Sequence, residues 1–155
     1  MTFLHRRLSP SLIVASWLLA GAAPAALAAC SVTTPPEGWA ASALRWDGDC
    51  ANGVATGLGV LKELQGAAVQ RSFFGRVDNG ELLLGVIDTP EQGFSAGRFV
   101  QGRVQVSDER QVFIDAFELA AQAAGAAAAR FEQAGNQASA RLYRQKEQTF
   151  YEQLD

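Results

Sequence analysis

The sequence predicts an α+β fold, with an antiparallel β-hairpin meander followed by a C-terminal helical hairpin or one long helix. Three observations carry that expectation. Glycine pairs with a five-residue gap recur at 48/53, 75/80 and 97/102, offset by 27 and then 22 residues. Apolar residues alternate with polar ones on the flanks of Asn52-Gly53 and Asn79-Gly80, both strong signals for a two-residue hairpin turn. From Ser107 onward the period changes, and Phe113, Phe117, Ala120, Ala124, Ala127 and Phe131 fall on one face of a helix. Three segments follow: a targeting peptide over 1–29, a hairpin domain over 30–106, and a helical segment over 107–155.

The first segment reads as a cleavable export signal. Arg6 and Arg7 supply a positive start, and Leu12–Ala20 is apolar but short for a bilayer. Ala26-Leu27-Ala28 is a fitting cleavage site. The competing reading is a retained N-terminal anchor. Of the 155 residues, removal of 29 that carry two arginines and no acid leaves 126 and moves the net charge from −3 to −5. No cluster of Lys and Arg stands out in the remainder, which argues against a nucleic-acid partner. No later apolar run stands out as a transmembrane span, so membrane contact is expected only if Cys30 is lipidated.

The only histidine, His5, lies in that signal. Without it the processed chain has no Ser-His-Asp or Cys-His arrangement and no imidazole metal ligand. Gly57-Leu58-Gly59 is followed by Val60-Leu61-Lys62, which lacks the order of a phosphate loop. No cofactor, metal or catalytic residue is therefore assigned.

Cys30 and Cys50 are the only cysteines. In an exported chain an even count favours a disulfide, which would pin Thr33-Thr34-Pro35-Pro36 against the folded region. The competing reading is that Leu27-Ala28-Ala29-Cys30 resembles the lipobox of bacterial lipoproteins. Cys30 would then be the lipidated N-terminus and Cys50 a free thiol. The two readings place the protein in the periplasm or outside the cell, or anchored at a membrane.

In the first hairpin unit Trp46 is followed by Gly48, Gly53, Gly57 and Gly59; in the second Phe73 is followed by Gly75 and Gly80. Glycine inside a strand weakens it unless something approaches closely, so Gly48, Gly75 and Gly97 point to a neighbouring aromatic ring. This spacing resembles the MORN repeat, Tyr-x-Gly-x-x-x-x-Gly-x-x-x-Gly-x-Gly, with Trp46 at the aromatic position and all four glycines kept. In the second unit Leu84 replaces a glycine and Gly85 is out of step. The third unit keeps Gly97, Phe99 and Gly102. The resemblance covers about 60 residues and implies a hairpin meander serving as a scaffold or as a membrane- or protein-binding module. An ordinary β-meander with Asn-Gly turns is the other reading. Either way Trp39, Trp46, Phe73 and Phe74 are expected to be core residues.

In the last segment Ser107 is a suitable N-cap, with Asp108 and Glu109 placed for the helix dipole. Gly135-Asn136 reads as a stop and turn, and a second helix is expected over about 137–154, turning Tyr143, Phe150 and Leu154 to one side. The pair can cover one face of the sheet or associate in the manner of a coiled coil.

The function expected from these features is non-enzymatic: an exported envelope protein that binds a protein or an envelope surface. A periplasmic inhibitor or chaperone-like accessory is a second possibility. A third is a glycan hydrolase using only carboxylates such as Asp47, Asp49, Glu81 and Asp88, which would require two of them at a set separation.

Overall fold

The computed structural model describes residues 30–155, so the expected signal segment lies outside the described residues. After a single 3-10 turn at Ala41–Ala43 come β1 (Leu44–Ala51), β2 (Val54–Gln65), β3 (Ala68–Asp78), β4 (Glu81–Thr89), β5 (Gly93–Val100) and β6 (Arg103–Gln105). They form one antiparallel sheet in chain order, followed by α1 (Arg110–Gln133) and α2 (Gln137–Tyr151). The expected α+β meander with a helical hairpin is therefore what the chain adopts.

The turns follow from residue chemistry. Asn52-Gly53, Asn79-Gly80 and Gln101-Gly102 each place two consecutive residues at positive φ, between 47° and 79°. A two-residue hairpin turn needs that conformation to match the twist of its strands. Gly57 is also at positive φ, beside a shift of register between β1 and β2.

Strand alternation divides the core into two layers. On one face Val60, Phe74 and Val86 pack against the helices. On the other, Trp46, Leu61, Phe73 and Phe99 pack with Trp39 from the segment that enters the sheet. Glycines run through the second face as a continuous row, Gly48–Gly59–Gly75–Gly85–Gly97, across five strands. A Cβ at Gly48 or Gly59 would enter the Trp46 ring, and one at Gly75 or Gly85 would meet first the backbone of the facing strand and then the Phe73 ring. The aromatic rings lie where side chains are missing at Gly48 and Gly75, as expected; at Gly97 the expected ring is absent, and the space is taken by the Gln105 carbonyl and the Val104 side chain of β6. Gly85, out of step with the repeat spacing, is in register with its neighbours because strand pairing sets the row.

The helices cover the first face as a hairpin. In α1, Ala120, Ala121, Ala123, Ala124, Ala127 and Ala128 are fully buried. Methyl side chains let α1 lie close to the sheet and to α2 at once. Phe150 of α2 meets Phe74 at a ring-centroid distance of 4.9 Å and Phe94 at 5.4 Å. Gly135 at φ 74° ends α1, and the Asn136 side chain accepts from the Ser139 amide at 3.1 Å to start α2.

Three details differ from the sequence expectation. Ser107 is not the N-cap: α1 begins at Arg110, and the Ser107 hydroxyl accepts from the Glu109 amide at 3.1 Å in a local turn before it. Phe113, expected in the buried stripe, is 45 % exposed because Val112 and Ala116 carry the buried face at this end of the helix. α1 is also long and apolar enough to cross a membrane by length and composition, although 56 % of that window is buried in the fold. No such stretch was expected, because its apolarity comes from alanine and not from large side chains.

Candidate functional site

Cys30 and Cys50 form a disulfide with a Cα–Cα distance of 5.8 Å. From Cys30 the entering segment runs past all three Gly turns in sequence. The Ser31 amide donates to the Gly53 carbonyl at 2.9 Å, the Thr33 amide to that of Gly80 at 2.8 Å, and the Glu37 amide to that of Gly102 at 3.0 Å. The residues singled out by spacing thus fall into two structural sets. Gly53, Gly80 and Gly102 form turns held by this strap, with Gly57 at the nearby bulge. Trp46, Gly48, Gly59, Phe73, Gly75 and Gly97 build the aromatic–glycine layer.

Of the four acids considered for hydrolysis, Asp47, Asp88 and Glu81 have separate partners. Asp47 meets Lys62 at 3.5 Å and Arg130 at 3.4 Å, while Asp88 meets Lys146 at 2.6 Å. Glu81 accepts from the Thr34 hydroxyl at the turn end of β4. Seven residues along that strand from Asp88, it is about 24 Å away at ~3.4 Å per residue.

A groove that the repeat spacing does not mark lies where α2 crosses the other end of the sheet. Register places Lys62 opposite Ser72 and Ser72 opposite Asp88 in one row on the helix face. Tyr143, Leu142 and Lys146 come from α2, and Phe74 lies one pair further along β3. Together they line a cavity of about 200 Å³, with Val69 and Arg71 at its edge.

Burial shapes the electrostatics of the groove. Lys62 is 9 % exposed, and its ammonium lies 5.7 Å from the centroids of both Phe131 and Tyr143. Those two rings stack with centroids 5.4 Å apart. Burial lowers the Lys62 pKa, the Asp47 carboxylate opposes that shift, and the charges of Arg45 and Arg130 add to it. Burial, helped by the nearby Asp47 charge, pushes the Tyr143 phenol up to about 12. A phenol is protonated at neutral pH in any case, and the shift extends that state into the alkaline range. Ion pairing and ring faces hold the Lys62 ammonium, so the groove offers hydrogen-bond donors beside apolar surface.

Behind β3, on the opposite face, Arg71 donates to Glu63 at 2.6 Å and to the Gly38 carbonyl at 2.9 Å. Its guanidinium lies 5.2 Å from the Trp39 ring centroid. The Glu63 carboxylate also accepts from the Ala40 amide at 2.8 Å. The hydrogen bond from Arg71 holds its pKa below the usual carboxylate range, against the opposing effect of burial.

One sequence signal could have pointed to the groove. Leu58, Val60 and Lys62 share an alternation that should be apolar throughout, so a lysine in the last position marks a charge on the core face. The contribution from α2 had no local signal, because Lys146 and Tyr143 meet the sheet only after α1 has crossed it. Comparison with protein-family models, with curated proteins and with solved structures gives no match to this chain.

Proposed function

We propose that the protein is an exported, non-enzymatic binding module of the cell envelope, built on a MORN-like hairpin meander, which engages its partner through the groove between α2 and β3. The observation that carries this reading is the composition of the groove. Val69 and Leu142, 46 % and 54 % exposed, stand beside Lys62 and Lys146 at one concave surface. An apolar rim with a few placed polar groups is the usual make-up of a binding site. The Cys30–Cys50 disulfide supports an oxidising compartment. It also favours the periplasmic or secreted form over the anchored one, because a sulfur in a disulfide has no thiol left to carry a lipid.

A photo-crosslinking amino acid in place of Leu142, in the protein expressed in its own envelope, tests the assignment. A discrete adduct is expected from position 142, weakened by Lys146→Met and absent when the same group replaces Glu118, exposed on α1. Equal adducts from both positions, or none from 142, would remove the groove as the binding surface.

A further inference from the structure

We infer that the α2–β3 groove takes a carboxylate joined to an apolar group of leucine or phenylalanine size, the carboxylate against the Lys62 ammonium group, with Lys146 as a second cation in the lining, and the apolar group against Phe74, Leu142 and Val69. This deepens the binding reading and rests on it.

Size sets the apolar part. A cavity of about 150 Å³ in another protein admits benzene. The groove, at about 200 Å³, has room for one ring or one branched side chain plus a small polar group.

Charge sets the polar part. Two cations, Lys62 and Lys146, and one acid, Asp88, line the cavity from the helix face, in a chain whose overall balance is acidic, while Arg71 turns its guanidinium to the opposite face. Asp88 is matched by Lys146, and Arg71 by Glu63 on the opposite face. Lys62 has only Asp47, at 3.5 Å, and shares it with Arg130. The buried ammonium is thus the least compensated charge in the groove, and an incoming anion would complete its pairing. Each lysine carries three donors and uses one on its carboxylate, leaving others to receive a ligand oxygen. Because its phenol remains protonated, Tyr143 adds a neutral donor beside them.

Such a group is found in a free small acid or at the carboxyl end of a polypeptide. The experiment titrates the purified disulfide-bonded chain with 3-phenylpropanoate, its neutral counterpart 3-phenylpropan-1-ol, and acetate, following backbone amide NMR signals of Ser72, Leu142 and Tyr143. Saturable shifts are expected with 3-phenylpropanoate, with the alcohol and acetate each at least tenfold weaker. Lys62→Met should weaken the acid at least tenfold while leaving the alcohol unchanged, and Lys146→Met, at a more exposed position, tests the same point if the first variant unfolds. N-acetylphenylalanine and the free-acid peptide Gly-Ala-Ala-Phe then separate the sources: tighter binding of the peptide assigns a polypeptide end, and tighter binding of the single residue a small acid. Equal binding of acid and alcohol, or no shift with either, overturns the carboxylate assignment. If position 142 still crosslinks in that event, the binding surface stands and only its ligand class falls.

Discussion

The Thr33 amide donates to the Gly80 carbonyl at 2.8 Å, and a Cβ built on Gly80 would stand within the Thr33 hydroxyl. The turn and the strap therefore define one another. The same relation holds at Gly102, where a Cβ would meet the Pro35 carbonyl. Gly53 differs: its carbonyl accepts from Ser31, but open space surrounds the position of its missing side chain. Ten residues of entering chain thus close the end of a sheet whose turns are alike in backbone but not in surroundings.

That difference gives a first prediction. Gly53→Ala should cost about 1 kcal/mol, the strain of a positive φ without a clash. Gly80→Ala carries the same strain and must also displace the strap, so its cost should be at least twice as large. Urea denaturation of the two variants decides it. Equal losses of stability would mean that the strap yields freely at Thr33.

The disulfide supplies a second prediction. Cys30 and Cys50 are 20 residues apart, and opening a loop of that length should cost about 3 kcal/mol through the freedom regained by the unfolded chain. The strap's hydrogen bonds to Gly53 lie next to Cys30, so the Cys30→Ser, Cys50→Ser double variant should lose amide protection first at Ser31 and Ala55. Hydrogen exchange that accelerates uniformly instead would show that the bridge acts only on the unfolded state.

Why the meander was legible and the groove was not has a physical basis. Asn52-Gly53 and Asn79-Gly80 encode their turns within two residues, since the required backbone conformation selects the residue type. The aromatic–glycine layer was half visible: Trp46 and Phe73 stand two positions before Gly48 and Gly75 along their own strands. Gly85 joins that layer through its pairing with Gly75, a contact between strands that spacing along the chain does not record. The groove depends on still longer relations. Lys146 reaches Asp88 across 58 residues and Arg130 reaches Asp47 across 83, through helices whose placement follows from the packing of α1 alanines. The start of α1 was misjudged for a local reason, because Ser107 satisfies the Glu109 amide without a helix following at once.

A third prediction concerns acid. Arg71 and the Ala40 amide stabilise the Glu63 carboxylate, so its pKa in the fold is lower than in the unfolded chain. A depressed carboxyl pKa gives stability that is complete above the unfolded value, near 4.5, and is lost as pH falls through the folded one. Glu63→Gln should therefore cost about 1–3 kcal/mol at pH 7, the worth of hydrogen bonds to a charged group, and much less at pH 3. Thermal unfolding at the two pH values measures the difference. A penalty unchanged at pH 3 would show that the packing of Glu63, and not its charge, holds Arg71 and the strap.

The last prediction uses the opposite end of the pH scale. Tyr143 ionises near 12 in the fold and near 10 when unfolded, because burial and the Asp47 charge both disfavour its phenolate. The protonated form belongs to the folded state, so this contribution is present below pH 10 and declines as pH rises toward 12. At pH 11 the decline should amount to about 1 kcal/mol, since one pKa unit corresponds to ~1.4 kcal/mol. Lys62 acts in the reverse sense over the same alkaline range: its pKa is lowered in the fold, so stability rises as it and its unfolded counterpart lose their protons. Wild type and Tyr143→Phe share that lysine, and the difference between them isolates the tyrosine. The variant should therefore lose less stability between pH 9 and pH 11 than wild type does. Parallel curves would mean that the hydroxyl is already solvated and that burial does not disfavour its phenolate.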